Sequence, residues 1–197
     1  HLKMEFEKKL NLQLFEKKID LNLFSNFHLI FCAGYVDNYS DNLDISEWKK
    51  VFNINVFSHL EIFNYFLPIM KDIDKSNKVM FLAGGGAASC FDKFPAYSAS
   101  KTAIVRSVEN LSQRFEKDNL SIFAIAPGAI ETKMLSKVLT KTSVGTKTSK
   151  EELYVFIEYY LKNDSNKLNG KLIHIRDDKT VIAKNTNQHY LKLRRVE

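Results

Sequence analysis

Residues 121–128 read Ser-Ile-Phe-Ala-Ile-Ala-Pro-Gly, an apolar run that stops at Pro127-Gly128. A run without polar alternation suits a strand covered on both faces, as in a parallel sheet. Three other segments share this character: residues 28–32 (HLIFC), 78–82 (KVMFL) and 171–175 (KLIHI). Glycines follow soon after the first two, at Gly34 and at Gly84 to Gly86. Helical patterns fill the intervals. Residues 45–71 open at Asp44 or Ser46, either of which suits an N-cap, and space Phe52, Val56, Leu60, Phe63 and Leu67 as a helix does. Residues 97–117 do the same with Ala99, Ala103, Val105, Val108, Leu111 and Phe115. A shorter helix is expected over 149–162, with a capping box from Ser149 to Glu152. Asn169-Gly170 then turns the chain into its last strand, while residues 133–150, rich in Thr, Ser and Lys, read as a mobile loop.

Strands alternating with helices give βαβ units and a parallel sheet. Right-handed crossovers make this an α/β, Rossmann-like doubly wound architecture, in which ligands bind beyond the carboxyl ends of the strands. The informative residues should therefore follow the strands.

The chain has 197 residues, enough for one domain (1–197) around one core. No apolar run reaches the roughly 20 residues of a membrane-spanning helix, and the first ten residues do not read as a signal peptide. The net charge is +6. Its lysines are scattered in pairs, Lys8-Lys9, Lys17-Lys18 and Lys49-Lys50, which reads as solvated helix faces rather than a nucleic-acid surface. Cys32 and Cys90 lack metal-ligand spacing and are expected as reduced thiols of a cytoplasmic protein, with no metal site.

The chemistry concentrates in Phe94-Pro-Ala-Tyr97-Ser-Ala-Ser-Lys101-Thr-Ala103. Tyr97 and Lys101 are four apart and share a helix face. A phenol with a reference pKa near 10 is a poor acid or base at neutral pH. A nearby ammonium is expected to lower that value and turn the pair into a proton donor and acceptor.

Four stretches together resemble the short-chain dehydrogenase/reductase family, over residues 27–175. YSASKTA at 97–103 is similar to its active-site helix, and FCAG at 31–34 to its Asn-Asn-Ala-Gly turn. WKKVFNINVFSH at 48–59 resembles the helix bearing its active-site Asn, here Asn55, and IAPGAIET at 125–132 its Pro-Gly motif. The resemblance implies an oxidoreductase that uses NAD or NADP and moves hydride to or from a carbonyl or hydroxyl substrate. It implies Tyr97 as general acid/base. Lys101 would lower its pKa and bind the nicotinamide ribose, and Asn55 would support a water leading from Lys101 to solvent. Ala33 and Gly34 would let the cofactor pass, and Pro127, Gly128, Ile130 and Thr132 would line the nicotinamide. Taken alone, Asn55 also fits a buried, satisfied polar group and Pro127-Gly128 a plain turn. A homodimer or homotetramer is expected, because helices 45–71 and 97–117 are apolar on more than one face, with Phe57, Phe63, Tyr65 and Phe66 adding to the first. The second face would otherwise cover the sheet.

Two features depart from the family pattern. The catalytic Ser expected thirteen residues before Tyr97 is replaced by Gly84 in the run Ala83-Gly-Gly-Gly-Ala-Ala-Ser89. Losing such a donor costs on the order of 10²–10³ in rate. Backbone N–H groups of Gly84 to Gly86 or the Ser89 hydroxyl would have to replace it, or the site is weak. No Gly-rich turn precedes Phe27, where residues 2–26 read as helix-like with Phe6, Leu10 and Leu14. The reading is thus a partial, N-terminally truncated domain lacking the first βαβ portion. The alternative is a non-catalytic binding or scaffold protein of the same fold. Residues 170–173 and 189–195, with the Gly-Gly-Gly-Ala run, resemble a subgroup associated with surface-polysaccharide biosynthesis, which implies a sugar or nucleotide-sugar substrate.

Overall fold

The computed structural model describes residues 26–72, 77–145, 147–163 and 166–178. The expected helix-like segment 2–26 lies outside the described residues except for Asn26, and the C-terminal segment 189–195 lies wholly outside them. Chain order is β1 (Leu29–Phe31), α1 (Ile45–Phe52), a π-helical turn (Asn53–Phe57), α2 (Ser58–Asp72), β2 (Asn77–Leu82), α3 (Pro95–Arg114), β3 (Leu120–Ala126), β4 (Ala129–Ile130), α4 (Lys133–Leu139), β5 (Lys147–Thr148), α5 (Lys150–Lys162) and β6 (Leu172–His174).

The main sheet is β1-β2-β3-β6, parallel throughout. All four strands fall where the apolar runs predict them. β3 is buried along its whole length, as an unbroken apolar run between two layers requires. On one face, Phe31, Val79, Phe81, Ile122 and Ala124 pack against Phe63, Phe66, Ile104 and Val108 of α2 and α3. On the other, Met80, Phe123 and Ile125 pack against Leu153, Phe156, Ile157 and Tyr160 of α5. This is the three-layer, doubly wound α/β arrangement expected from the sequence. Asn77, fully buried, ties its layers together: its Oδ1 accepts from Phe27 N at 2.9 Å and its Nδ2 donates to Met70 O at 2.8 Å.

Three expectations change. The single helix over 45–71 is two α-helices joined by a π turn, where the extra residue shifts the ladder by one position. Ser58 N bonds Asn53 O, and the Ser58 hydroxyl satisfies Ile54 O at 2.7 Å. The loop 133–150 contains α4, capped by the Thr132 hydroxyl on Leu135 N at 3.2 Å, and β5, which pairs with β4 in a second small sheet. Its Leu135 and Val138 are buried, which is why this polar-looking segment folds down. Of the aromatics expected on a second helix face, Phe63 and Phe66 are buried and Tyr65 is partly buried against the same core, leaving Phe57 half exposed. The capping box on α5 forms as expected, with Ser149 Oγ on Glu152 N and Glu152 on Ser149 N.

Candidate functional site

The site forms beyond the carboxyl ends of β1, β2 and β3. From β1 the chain runs into Ala33-Gly34, both partly buried. A Cβ on Gly34 would lie 3.2 Å from Met134 Cε and 3.8 Å from both Asn55 Oδ1 and Lys101 Nζ. The turn, the π segment, α3 and α4 therefore converge on this glycine.

Asn55 sits in the π turn, fully buried. Its Oδ1 accepts from Tyr35 N at 2.7 Å, and its Nδ2 donates to Tyr35 O and Ser100 Oγ, each at 2.9 Å. Both amide hydrogens are spent on protein partners. The side chain is thus a clip that fixes the post-β1 turn to α3, the satisfied polar group that the sequence allowed.

Lys101 is 3% exposed and donates from Nζ to Leu82 O, the end of β2, at 2.8 Å. Burial brings its pKa down to about 8. Its Nζ lies 5.7 Å from the Tyr97 ring centroid. The expectation that Lys101 lowers the Tyr97 pKa is not what this arrangement does: burial of the phenol dominates and pushes Tyr97 up to about 12. Tyr97 is a protonated phenol at neutral pH here. Its hydroxyl faces Gly84, where a Cβ would stand 3.0 Å from Oη. The Gly84 loop is bound to α3 by Ser98 Oγ donating to Gly86 O at 2.6 Å and tightened by Ala87 N donating to Gly84 O at 3.0 Å. Ser89 is exposed, further along the loop.

After β3, Pro127 is buried and Gly128 takes φ +74°, a left-handed conformation that favours glycine. A Cβ there would meet Thr148 Oγ1 at 2.7 Å. Ile130 belongs to β4 and packs against the α5 core, while Thr132 is spent capping α4. Arg176, just beyond β6, donates to Lys147 O at 3.0 Å and Thr148 Oγ1 at 3.1 Å, holding the small sheet over the Pro-Gly turn.

Sequence reasoning missed two buried polar groups beside this cluster. Asp37 Oδ1 accepts from Tyr97 N at 3.1 Å. His59 is 2% exposed, stacks on Phe31 with centroids 5.0 Å apart and hydrogen-bonds the Ala33 backbone, and its Nε2 has no partner among the described residues. Burial and then the Lys101 charge hold its pKa down at about 3. Neither residue belongs to a periodic pattern. The only hint of Asp37 is that Phe94-Pro95 offers no side-chain cap to the helix it begins. Both cysteines are free, and no cluster of three metal-ligand side chains occurs among the described residues.

A parallel α/β sheet with Tyr, Lys and Asn gathered at its carboxyl edge defines a Rossmann-like fold of the dehydrogenase type. The chain belongs to the short chain dehydrogenase family, whose pattern matches residues 28–143. It is 24% identical over 154 residues to a benzil reductase forming (S)-benzoin from Saccharomyces cerevisiae, covering 69% of this chain and 59% of that protein. It is 36% identical over 91 residues to an uncharacterized oxidoreductase from Schizosaccharomyces pombe, covering 46% of this chain and 35% of that protein. The matched regions thus span about a third to three fifths of these relatives. Among solved structures, 4-hydroxyisoleucine dehydrogenase complexed with NADH superposes with a TM-score of 0.73 at 20% identity, covering 88% of this chain and 77% of that one. The oxidoreductase yciK from E. coli gives 0.76 at 17% identity, covering 88% and 72%.

Proposed function

We propose that this chain is the catalytic portion of an NAD(P)-dependent oxidoreductase that interconverts a carbonyl and a hydroxyl on a small organic substrate. The observation that carries this is the Tyr97 hydroxyl facing the open backbone at Gly84, beside a buried Lys101. The residues suit the nicotinamide end of such a cofactor. Lys101 offers an ammonium at the turn where a Cβ on Gly34 would fill the space, and Pro127, Gly128, Ile130 and Thr132 follow β3 on the same sheet edge. A bound nicotinamide would supply or take up the hydride. Tyr97 holds a proton at Oη and delivers it to a substrate oxygen, or receives it in the reverse direction. Lys101, with its pKa brought down, restores that proton more readily than an exposed lysine does. Without a serine at position 84, polarisation of the oxygen falls to Tyr97 and to backbone N–H groups of the Gly84 loop.

Resemblance to the polysaccharide-associated subgroup suggests a sugar or nucleotide-sugar derivative, whereas the benzil reductase suggests an aryl ketone. The two free thiols suit a cytoplasmic protein. Leu43 just ahead of α1, Ile45 at its start and Phe57 in the π turn are exposed and suit a homo-oligomer, which light scattering would read. Calorimetric titration of NADH and NADPH into this chain and into a form extended N-terminally by the expected first βαβ portion, followed by turnover with benzil and a nucleotide sugar, tests the reading. Binding and turnover of either substrate support it. An absence of binding by both cofactors leaves the scaffold alternative.

A further inference from the structure

The helix that carries Tyr97 begins without a cap of its own. Phe94 at its N-cap offers no hydrogen-bonding side chain, and Pro95 at the first position has no N–H. Ser98 N reaches Phe94 O at 3.1 Å, but the N–H of Tyr97 is met from elsewhere: Asp37 Oδ1, 60 residues earlier, accepts it at 3.1 Å. Asp37 is 4% exposed. A buried carboxylate is costly unless it is hydrogen-bonded, and a helix N-terminus is a favourable place to hold one.

Asp37 closes a short segment that contacts three separate elements of the site. Tyr35 is clipped through both backbone polar groups to Asn55. Val36 O accepts from Lys137 Nζ of α4 at 2.8 Å. The Val36 side chain packs with Phe94 and Val138 in a separate core cluster, on which Tyr97 and Met134 also lie. Three consecutive residues therefore fix the π segment, the helix over the glycine turn and the first turn of α3.

We propose that Asp37 is a positioning residue for Tyr97. It anchors the backbone of the tyrosine from the cofactor-side turn and so keeps Oη opposite Gly84. The proposal rests on the oxidoreductase reading for its catalytic consequence, but not for its geometry. Misplacing a reacting group by about 1 Å can cost 10²-fold in rate. A backbone anchor should therefore act on kcat and spare cofactor affinity.

The test uses the ¹⁵N-labelled full chain with two variants, Asp37→Ala and Asp37→Asn. Asn keeps an acceptor oxygen and removes the charge. In Asp37→Ala, hydrogen exchange at the Tyr97 amide should quicken about tenfold while β3 amides hold their rates, and Asp37→Asn should stay within about threefold of the parent. With NADH or NADPH and a reducible carbonyl, Asp37→Ala should lose about tenfold in kcat with cofactor KM unchanged, and Asp37→Asn should recover most of it. Unchanged Tyr97 exchange in Asp37→Ala overturns the proposal. So does a loss that falls on cofactor KM alone. Should Asp37→Ala not fold, Asp37→Asn decides: protection kept supports the anchor, protection lost overturns it. If neither this chain nor its N-terminally extended form binds either cofactor, the oxidoreductase reading fails, and the exchange measurement then judges the anchor by itself.

Discussion

The hydroxyl of Tyr97 stands at the place a side chain on Gly84 would enter, with a would-be Cβ 3.0 Å from Oη. That contact is tight enough to displace the phenol by a few tenths of an ångström. Gly84→Ala should therefore lower kcat. Gly84→Ser carries the same Cβ but adds a hydroxyl able to polarise the substrate oxygen, an effect worth on the order of 10²–10³ where such donors are native. The Ser variant should exceed the Ala variant in kcat by at least about tenfold. Equal rates in steady-state assays would mean that the loop does not present residue 84 to the substrate.

Tyr97→Phe should leave the fold intact and reduce turnover by about 10²–10⁴, the usual worth of a positioned acid/base. The raised pKa of Tyr97 sets the direction of pH dependence. Protonated at neutral pH, the phenol is ready to donate, so carbonyl reduction should proceed there. Alcohol oxidation needs the phenolate and should rise with pH toward about 12. Paired pH–rate profiles for the two directions check this, and an oxidation rate that falls as pH rises from neutrality would sink it.

His59 predicts acid sensitivity. Its folded pKa is held at about 3, below the ordinary 6.5, so the unfolded chain binds the extra proton first. Stability should be complete above 6.5 and fall by up to about 1.4 kcal/mol per pH unit as pH drops from 6.5 toward 3. His59→Phe should flatten that part of the curve in urea titrations at a series of pH values. A slope equal to that of the parent would assign the acid sensitivity to other groups.

Asn77→Ala should destabilise the chain by about 2–3 kcal/mol, because Phe27 N and Met70 O both lose their partner at a fully buried position. Chemical denaturation of the variant measures it. A change under ~0.5 kcal/mol would show that water takes over both bonds.

The strands and the clustering of Tyr97, Lys101, Asn55 and Gly34 were legible because continuous apolar runs and short motifs at strand ends are local signals. The π turn was not. One extra residue alters the ladder around Asn55 without altering composition, and Phe52, Val56 and Leu60 look the same in either helix. α4 was hidden because Leu135 and Val138 are few among lysines and threonines, and only its contacts with the post-β1 turn explain why it folds. The direction of the Tyr97 pKa is not legible for a similar reason: spacing shows that Lys101 is near, but not that its buried ammonium bonds Leu82 O or that burial dominates at the phenol. Asp37 and His59 act across 60 and 26 residues, on Tyr97 and Ala33, beyond any local pattern.

The bond from Lys101 to Leu82 O also ties the candidate site to the register of the sheet. Leu82 is the last residue of β2 and pairs in register with Ile125 of β3. A slip of one residue would invert every side chain of the strand and carry that carbonyl about 3.3 Å away. The lysine would then be buried without its acceptor, a state too costly to persist. A misregistered chain thus loses the anchorage of Lys101 along with its stability, so an intact Lys101–Leu82 bond marks a correctly assembled sheet.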